Sequence, residues 1–354
     1  MKKILIQQNK LFHYRKGLFN ELSKFYDVTV IHSGKKVKDQ KDTFNEVISP
    51  TSNFLSFIYQ KSLFKQIRTN NYDSVILLFN FYYLSNFTSL IRFKQVNFIL
   101  WGPWISGNKI QDYLRLKLMS YKYKIVLYSR KHFFEFVSLG IDKEIMYVAN
   151  NTINVSPRNK CFLHKEKKSL LFVGSFVCRK QLDVLVDVFN NIKNEIPADI
   201  NLTLIGDGDN FSLIQKMINN YGLNNRVFLK GKITDNSILA KEYNKAIISV
   251  SLGQAGLSVL QSFGFGVPFL TKKDAISGGE TSNIINDFNG ILCESDLSDL
   301  NNKLTLICNN IDYALKLGEN AYRYYDKYCT IVNMAQGFKD AIDNTRVSKI
   351  DMKY

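Results

Sequence analysis

The sequence has few prolines, no paired cysteine motif and no long uninterrupted apolar run. Its cysteines form no CxxC pair, so neither a zinc site nor a disulfide framework is indicated, and we expect buried free thiols. These cysteines are Cys161, Cys178, Cys293, Cys308 and Cys329. Residues 74–91 carry no charge, but Asn, Ser and Thr interrupt them, which predicts a strand and a helix rather than a membrane span.

The first residues also lack the apolar region of a signal peptide. Lys2 and Lys3 are followed by only three apolar residues before Gln7, which predicts a first β-strand. The composition, 45% hydrophobic and 22% charged, is that of a globular protein, and 354 residues are enough for two α/β domains.

Negative charge is scarce in the first part of the chain. Residues 1–150 hold 23 of the 47 Lys and Arg residues but only 10 of the 31 Asp and Glu residues. This excess predicts an anionic partner, such as a membrane surface or a phosphorylated lipid. No helix-turn-helix, RNA-recognition or zinc-finger pattern accompanies it, so we expect no nucleic-acid partner. The alternative is a solvated basic face in a Lys-rich chain.

Short apolar segments alternate with helix-length segments. The predicted strands of the first half are KKILIQ, YDVTVIHS, SVILLF, QVNFILWG, KIVLYS and IMYVANN, with helices at 16–25, 54–69 and 110–120. The second half contains predicted strands SLLFVGSF, INLTLIGDG, NRVFLKG, AIISVSL and VPFLT, with helices at 181–192, 211–221, 236–244, 257–265 and 296–309. The alternation predicts parallel sheets with helices on both faces.

A polar stretch without periodicity, around residues 150–168, is typical of an interdomain linker. We therefore predict an α/β protein with two doubly wound, Rossmann-like domains, at 1–155 and 165–328, that face a central cleft. A helix at 331–342, within residues 329–354, is expected to cross back to the first domain. Ligands of such folds bind at the carboxyl ends of the strands, so we expect the site there.

Glycine-containing loops follow four of the predicted strands in the second half. The first loop, from Gly174, ends in Arg179 and Lys180, two adjacent cations that suit a diphosphate. Gly206 and Gly231, in the second and third loops, permit tight turns and close backbone approach.

The fourth loop is the most specific. In SLGQAGLSVLQSFGFGVP, residues 251–268, a Gly-rich turn opens directly into a helix. Unpaired amides and the positive helix end then point at one spot, an arrangement that binds phosphate. Gln261 lies one turn into this helix, near Leu257 and Ser258, where its amide is placed to flank the same ligand.

The order of these loops, with the closing G-x-P-x-[ILV] segment, resembles the GT4-like (group 1) family of GT-B glycosyltransferases over roughly residues 168–325. HYRKGLFNELSKFYDVTVIHSG is similar to the first strand–helix–strand of bacterial surface-polysaccharide transferases. The resemblance implies a donor-binding second domain and an acceptor-binding first domain. The donor-binding candidates are Gly174, Ser175, Gly206, Gly231, Lys232, Gly253, Gln254, Gly256, Leu257, Ser258, Gln261 and Glu280.

The chain departs from the family pattern around the diphosphate. Ser175 occupies the position of the family's usual Arg, Lys180 matches its Lys, and Arg179 is the candidate to supply the missing cation. Gly253 and Gln261 stand where the family has its two signature glutamates.

The resemblance assigns different tasks to those two glutamates. The second holds the ribose hydroxyls, which Gln261 can do as donor and acceptor. The first contacts the transferred sugar, which Gly253 cannot do. Gln254, backbone amides or Glu280 are the candidates to take its place.

In the first domain, His13 and Arg15 follow the first strand, and Trp101 and Trp104 follow the strand NFIL. We take His13 as a catalytic candidate and the other three as acceptor-binding candidates, with aromatic faces for sugar rings. A structural histidine and core tryptophans are the alternatives. The aromatic and basic segment 54–68 is predicted to be either a helix packed on the sheet or an interfacial membrane helix.

Our main hypothesis is a cytoplasmic glycosyltransferase, peripheral at the membrane, in surface polysaccharide synthesis such as O-antigen or capsule. It transfers a sugar from a UDP- or GDP-type donor to a lipid-linked or oligosaccharide acceptor, with the retention of anomeric configuration that the resemblance implies. Arg179, Lys180 and the turn amides stabilise the leaving diphosphate. Since no convincing Asp-x-Asp motif is present, we expect neither a metal nor a cofactor. A non-catalytic nucleotide- or sugar-binding protein and a nucleotide-sugar 2-epimerase are the alternatives.

Overall fold

The computed structural model describes residues 1–103, 105, 108–121 and 123–346. The chain divides into two compact units. One comprises Met1–Ile153 and the segment that begins at Ile331, and the other comprises Asn154–Thr330. Each unit contains its own parallel sheet. The predicted class, two doubly wound α/β domains, is confirmed.

The first unit has a seven-stranded parallel sheet in the order β3-β2-β1-β6-β7-β8-β9, and β4 and β5 form a separate antiparallel hairpin. The strands are β1 Lys3–Gln7, β2 Asp27–His32, β3 Asn45–Ile48, β4 Thr51–Phe54, β5 Phe57–Gln60, β6 Ser74–Leu78, β7 Phe98–Trp101, β8 Lys124–Leu127 and β9 Met146–Val148. The helices are α1 Lys16–Leu22, α2 Leu63–Thr69, α3 Leu84–Arg92, α4 Lys109–Met119 and α5 Arg130–Ser138.

The second unit has a six-stranded parallel sheet in the order β12-β11-β10-β13-β14-β15. Its strands are β10 Ser169–Val173, β11 Asn201–Ile205, β12 Val227–Leu229, β13 Ala246–Val250, β14 Phe269–Lys272 and β15 Gly290–Cys293. Its helices are α6 Leu182–Ile192, α7 Phe211–Asn220, α8 Asn236–Lys245, α9 Ser258–Phe265, α10 Leu297–Cys308 and α11 Ile311–Tyr328. Helix α12, Ile331–Asp343, packs against α1, β8 and β9 of the first unit.

Both sheets are covered on their two faces, which explains their near-continuous apolar strands. Ile4, Leu5 and Ile6 of β1 are all fully buried, although alternate residues point to opposite faces of the sheet. On one face, Phe338 of α12 meets the edge of the Trp101 ring at a centroid distance of 4.8 Å. The helices therefore owe their positions to burial on the sheets rather than to local propensity alone.

Each sheet has one point at which the strand order reverses. In the first sheet it lies between β1 and β6, and in the second between β10 and β13. At such a point the loops after the two strands leave in opposite directions and open a crevice. The loops after these strands contain most of the predicted site residues.

The helix predicted at 54–69 is wrong over its first half. The hairpin of β4 and β5 occupies residues 51–60, with Leu55 at a positive φ in the turn, and the helix begins only at Leu63. A long-range contact explains the difference. Gln60 is fully buried, and its Nε2 donates to Gln8 O and to Ser33 Oγ. The packed helix is present only as α2, where Leu63 and Ile67 are buried, and residues 54–60 form neither it nor the membrane helix.

Besides the hairpin of β4 and β5, the elements β3, α5, β15 and α11 lie outside the predicted set. The Tyr-rich end of α11 gave no helix signal, although its apolar face, with Ala321, Tyr324 and Tyr325, is buried. None of the helices in the described ranges has both the length and the apolar character that a membrane span requires.

A buried ion pair anchors the loop between β2 and β3. Lys16 of α1 contacts the carboxylates of Asp39 and Asp42 at 2.6 Å each, and Asn20 donates to Asp42 at 2.9 Å. Burial alone would raise the pKa of Asp42, but the hydrogen bonds from Asn20 and Lys16 and the charge of Lys16 lower it overall. The ionised form of Asp42 is therefore the one that stabilises the fold.

We expect Asp42→Asn to lower the free energy of unfolding at neutral pH by about 2 kcal/mol, because it removes charge-assisted hydrogen bonds from a buried site. Asp42 stabilises the fold above its unfolded pKa, and this contribution disappears as the pH falls through its lowered folded pKa. Urea unfolding from about pH 7 down to about pH 2 measures both effects. Asp39→Asn is the matched control, since that side chain is 60% exposed. Equal losses in the two variants would refute this assignment.

Candidate active site

The loops after β10 and β13 pack directly against each other. Gly253 N approaches Lys180 O at 3.4 Å, and a Cβ at Gly253 would lie 2.5 Å from Arg179 O. Only a glycine allows the two backbones to come this close. The glycine turn and the two cations, far apart in sequence, therefore lie side by side at the switch point of the second sheet.

Both cations donate hydrogen bonds to Gln254 of the turn. Arg179 Nε donates to Gln254 Oε1 at 2.9 Å, and Lys180 Nζ donates to Gln254 O, also at 2.9 Å. Ser251 Oγ donates to the same carbonyl at 2.8 Å. Arg179 is exposed, whereas Lys180 is half-buried. Two positive charges are thus held at the mouth of the crevice.

Lys180 has a lowered pKa for two reasons. Burial is the larger one, and the neighbouring charge of Arg179 adds to it, while the carboxylate of Glu280 acts in the opposite direction. An anion bound beside Lys180 would stabilise its charged form, because the attraction offsets both the cost of burial and the repulsion from Arg179.

Helix α9 begins at Ser258, directly after the turn. The space above Gly256 is open, since a Cβ built there would meet nothing within 4 Å. Two buried oxygens beside the turn, Ser258 Oγ and Gln181 Oε1, have no hydrogen-bond partner among the described residues. The turn is therefore not filled by its own side chains, and polar groups remain available to a ligand. Gln261 lies one turn into the helix and is half-buried.

A third loop closes the other side of the turn. Ile276 N donates to Gly253 O and Ala255 N donates to Ile276 O, each at 3.0 Å. In the same loop, Glu280 is 6% exposed and accepts from Gly278 N at 2.9 Å and from Ser277 Oγ at 3.1 Å. These bonds hold the Glu280 carboxylate in the loop beside the turn, where its charge acts on Lys180.

The other glycine loops meet one another at the same edge of the sheet. Gly206 has a positive φ, and a Cβ there would overlap Gly174 O. Gly206 N donates to Gly231 O at 2.9 Å. Ser175 and Lys232 are exposed on these loops. The binding roles of all these donor-site residues stay predictions, since geometry alone locates them.

The candidates of the first unit lie in different surroundings. His13 is exposed in the turn before α1, and its catalytic role stays a prediction. Arg15 is 7% exposed and lies over the Trp101 ring, with 4.7 Å between Cζ and the ring centroid. Trp101 is fully buried against Phe338 and Arg15, so its prediction as a sugar platform is corrected: its ring is part of the core. Trp104 lies outside the described residues.

Sequence reasoning missed the residues that hold the site together. Gln181 adopts a left-handed conformation with φ of 53°, and its side chain packs against Gly253. Ser251 and Ile276 also contact the turn, as described above. Gln181 and Ile276 lie outside the predicted motifs, although Gln181 directly follows the two cations, and Ser251 opens the motif at 251–268 but was given no role. Within the described ranges, no three His, Cys, Asp or Glu residues form a candidate metal cluster.

Residues 157–324 match the family model of the glycosyl transferases group 1. An uncharacterised glycosyltransferase of Methanocaldococcus jannaschii is 29% identical over 45% of this chain and 43% of its own length. A poly(glycerol-phosphate) alpha-glucosyltransferase of Bacillus subtilis is 26% identical over 55% of this chain and 29% of its own length. The chain thus spans less than half of the length of these relatives.

A solved structure of Anabaena HepE, in complex with UDP and glucose, is similar to the whole chain. It has a TM-score of 0.70, covers 97% of this chain and 100% of its own, and is 15% identical in sequence. This likeness supports the GT-B fold, which is confirmed. The family assignment rests on the family model alone, and the residues that match the glycosyl transferases group 1 are 157–324, within the second unit.

Proposed function

We propose that the protein is a retaining glycosyltransferase that moves a sugar from a nucleoside-diphosphate sugar, of the UDP type, to a hydroxyl of a lipid-linked or oligosaccharide acceptor. The observation that carries the proposal is the contact between the glycine turn and the adjacent cations Arg179 and Lys180. We assign it to bacterial surface polysaccharides, such as O-antigen or capsule. Retention of configuration is part of the proposal because the group 1 resemblance implies it.

The reaction needs the leaving diphosphate to be stabilised as its negative charge develops. Arg179 presents a planar fork that suits a diphosphate oxygen pair, and Lys180 acts as a point charge beside it. The amides at the start of α9 add their partial positive charge. Donors that are already in place require little reorganisation, which makes this electrostatic effect the main catalytic contribution. In this proposal the cations do the work of a metal, and the enzyme needs no cofactor.

The nucleoside and sugar contacts are assigned by position. Gln261 binds the ribose hydroxyls, and the loops at Gly206 and Gly231 lie against the base. Gly253 has no room for the side chain that normally meets the transferred sugar. Glu280, whose charge already acts on Lys180, takes that task in the proposal. UDP is favoured as the nucleotide because the similar Anabaena protein binds UDP.

We further propose that the enzyme works at the cytoplasmic face of a membrane. Helix α4 is unusual because its charged pair, Asp112 and Arg115, is buried while apolar side chains face outward. Ile110, Tyr113 and Leu114 are 75%, 63% and 49% exposed. Lys109 and Lys117 are exposed on the same helix, and the first 150 residues are strongly basic. An apolar face beside basic residues suits an anionic lipid surface.

Binding of the donor is the first test. UDP at 100 times its dissociation constant is expected to stabilise the protein by about 2.7 kcal/mol, which a thermal-shift experiment detects. GDP and CMP are the comparison ligands. Release of UDP from UDP-sugars in the presence of oligosaccharide acceptors then separates a transferase from a protein that only binds. Nucleotide binding without release under any acceptor would contradict the enzyme assignment.

Lys180→Gln is expected to lower kcat by about 100-fold, because one preorganised charge on the leaving group is lost. The melting temperature should change little, since burial already penalises this charge. Lys216→Gln, an exposed cation on α7, is the matched control and should keep full activity. Turnover in Lys180→Gln equal to that of the control would remove the leaving-group role.

Two glycine variants distinguish a loss of UDP binding from a loss of fold stability. Gly256→Val adds bulk to open space above the turn, so we expect normal melting and at least tenfold weaker UDP binding. Gly206→Val forces a Cβ onto Gly174 O, so we expect a large loss of stability. Isothermal titration and thermal melting measure the two effects. If Gly256→Val bound UDP normally, the nucleotide would not occupy the turn.

The double variant I110S/L114S tests the membrane proposal. We expect the wild type to float with vesicles that contain anionic lipid, and the variant to bind at least tenfold more weakly, because two apolar side chains no longer insert. Leu306→Ser, a 58% exposed apolar residue on α10, is the control. The membrane proposal would be refuted if I110S/L114S bound the vesicles as well as Leu306→Ser does. It would also be refuted if the wild type bound neutral vesicles as well as anionic ones.

A further inference from the structure

A cavity of about 620 Å³ opens at the carboxyl ends of β1 and β6, the switch point of the first sheet. The loops after these two strands form its walls, together with the hairpin of β4 and β5 and with Tyr128 after β8. Doubly wound sheets bind their ligands at this position. The cavity lies wholly within the first unit and contains none of the donor-site residues.

Arg15 is the charged residue buried in the wall of this cavity. It is 7% exposed, and its guanidinium lies among three aromatic rings, with Cζ 4.7 Å from the centroid of Trp101, 5.2 Å from Tyr14 and 5.7 Å from Tyr128. Its Nη1 is buried and has no hydrogen-bond partner among the described residues. No acidic side chain in the described ranges forms an ion pair with it.

This arrangement leaves a permanent charge only partly compensated. Arg keeps its proton at any ordinary pH, so it cannot avoid the cost of burial by becoming neutral. The ring faces attract the cation but accept few of its in-plane N–H groups. An oxyanion brings the missing acceptors, and its two oxygens match the guanidinium fork. The buried cation therefore favours an anionic ligand over a neutral one of the same shape.

The rest of the cavity suits a polyhydroxylated molecule. Phe12 and Tyr82, which are 51% and 55% exposed, offer aromatic faces to the apolar side of a sugar ring. Asn80 provides an amide for hydroxyl groups, and Lys10 adds a second, exposed cation at the rim. Sugar-like contacts and one buried Arg occur together in a single cavity.

We propose that this cavity binds the acceptor and that Arg15 selects acceptors that carry an oxyanion, either a carboxylate or a phosphate, next to the sugar or polyol that is glycosylated. The inference rests on the proposed transferase function and names its acceptor class. Arg15 is a specificity-determining residue here, and it takes no part in the bond-making step.

The test compares matched ligand pairs by isothermal titration. Glucuronate is compared with glucose, and glycerol 3-phosphate with glycerol. The wild type is expected to bind at least one anionic member ten times more tightly than its neutral counterpart, and the pair that shows the preference identifies carboxylate or phosphate. Arg15→Gln should lose the preference, since the charge and the fork are both gone.

Two further variants keep the result decisive. Lys180→Gln should keep the full preference, because the donor-site cations lie in the other unit. Arg15→Lys preserves the charge but not the fork, so its preference should fall at least threefold, which tests the proposal even if Arg15→Gln does not fold.

Three results would overturn the proposal: no preference in the wild type, an unchanged preference in either Arg15 variant, or its loss in Lys180→Gln. UDP binding and release are measured separately on the same wild-type protein. A failed acceptor assignment is thus distinguished from a failed transferase assignment.

Discussion

The candidate active site depends on the close approach of two backbones. Gly253 lies against the carbonyl of Arg179, and Lys180 reaches across to the carbonyl of Gln254. The first contact needs a residue without a Cβ, and the second fixes a half-buried cation whose pKa is already lowered by burial. Any side chain at position 253 would push the cations away from the turn. Packing therefore fixes the positions of Arg179 and Lys180 before any ligand binds.

This constraint also explains the departure from the group 1 pattern. A glutamate at position 253 has no room while Arg179 and Gln181 keep their present positions. In the proposed function the side chain that meets the sugar comes from elsewhere, and Glu280 is buried in the loop that pairs with the turn. The side chain of Arg179 is bonded to Gln254 of the same turn. The departures from the family pattern at Gly253 and Arg179 therefore involve the same turn.

Each unit has a switch point in its sheet, but the residues around the two switch points differ in chemistry. At the switch point of the second sheet, the exposed Arg179 and the half-buried Lys180 lie beside an open turn that leads into a helix, which suits a highly charged diphosphate. At the switch point of the first sheet, a single buried Arg lies among aromatic rings, which suits a larger ligand with one anionic group. The difference follows from the residues that end the strands, since the topology is alike.

By itself, the sequence determined the alternation of strands and helices, the two parallel sheets and the glycine loops at the carboxyl ends of the strands. These depend on local patterns, namely apolar runs that suit buried strands and glycines that permit tight turns. It did not determine the hairpin at residues 51–60, because the buried amide of Gln60 bonds to residues distant in the chain. The sequence also left open whether Trp101 lies in the core or in the site, since α12, more than two hundred residues later, covers it. Only the tertiary structure decided which side chains face the core and which loops touch, because both depend on contacts between segments that carry no local signal of each other.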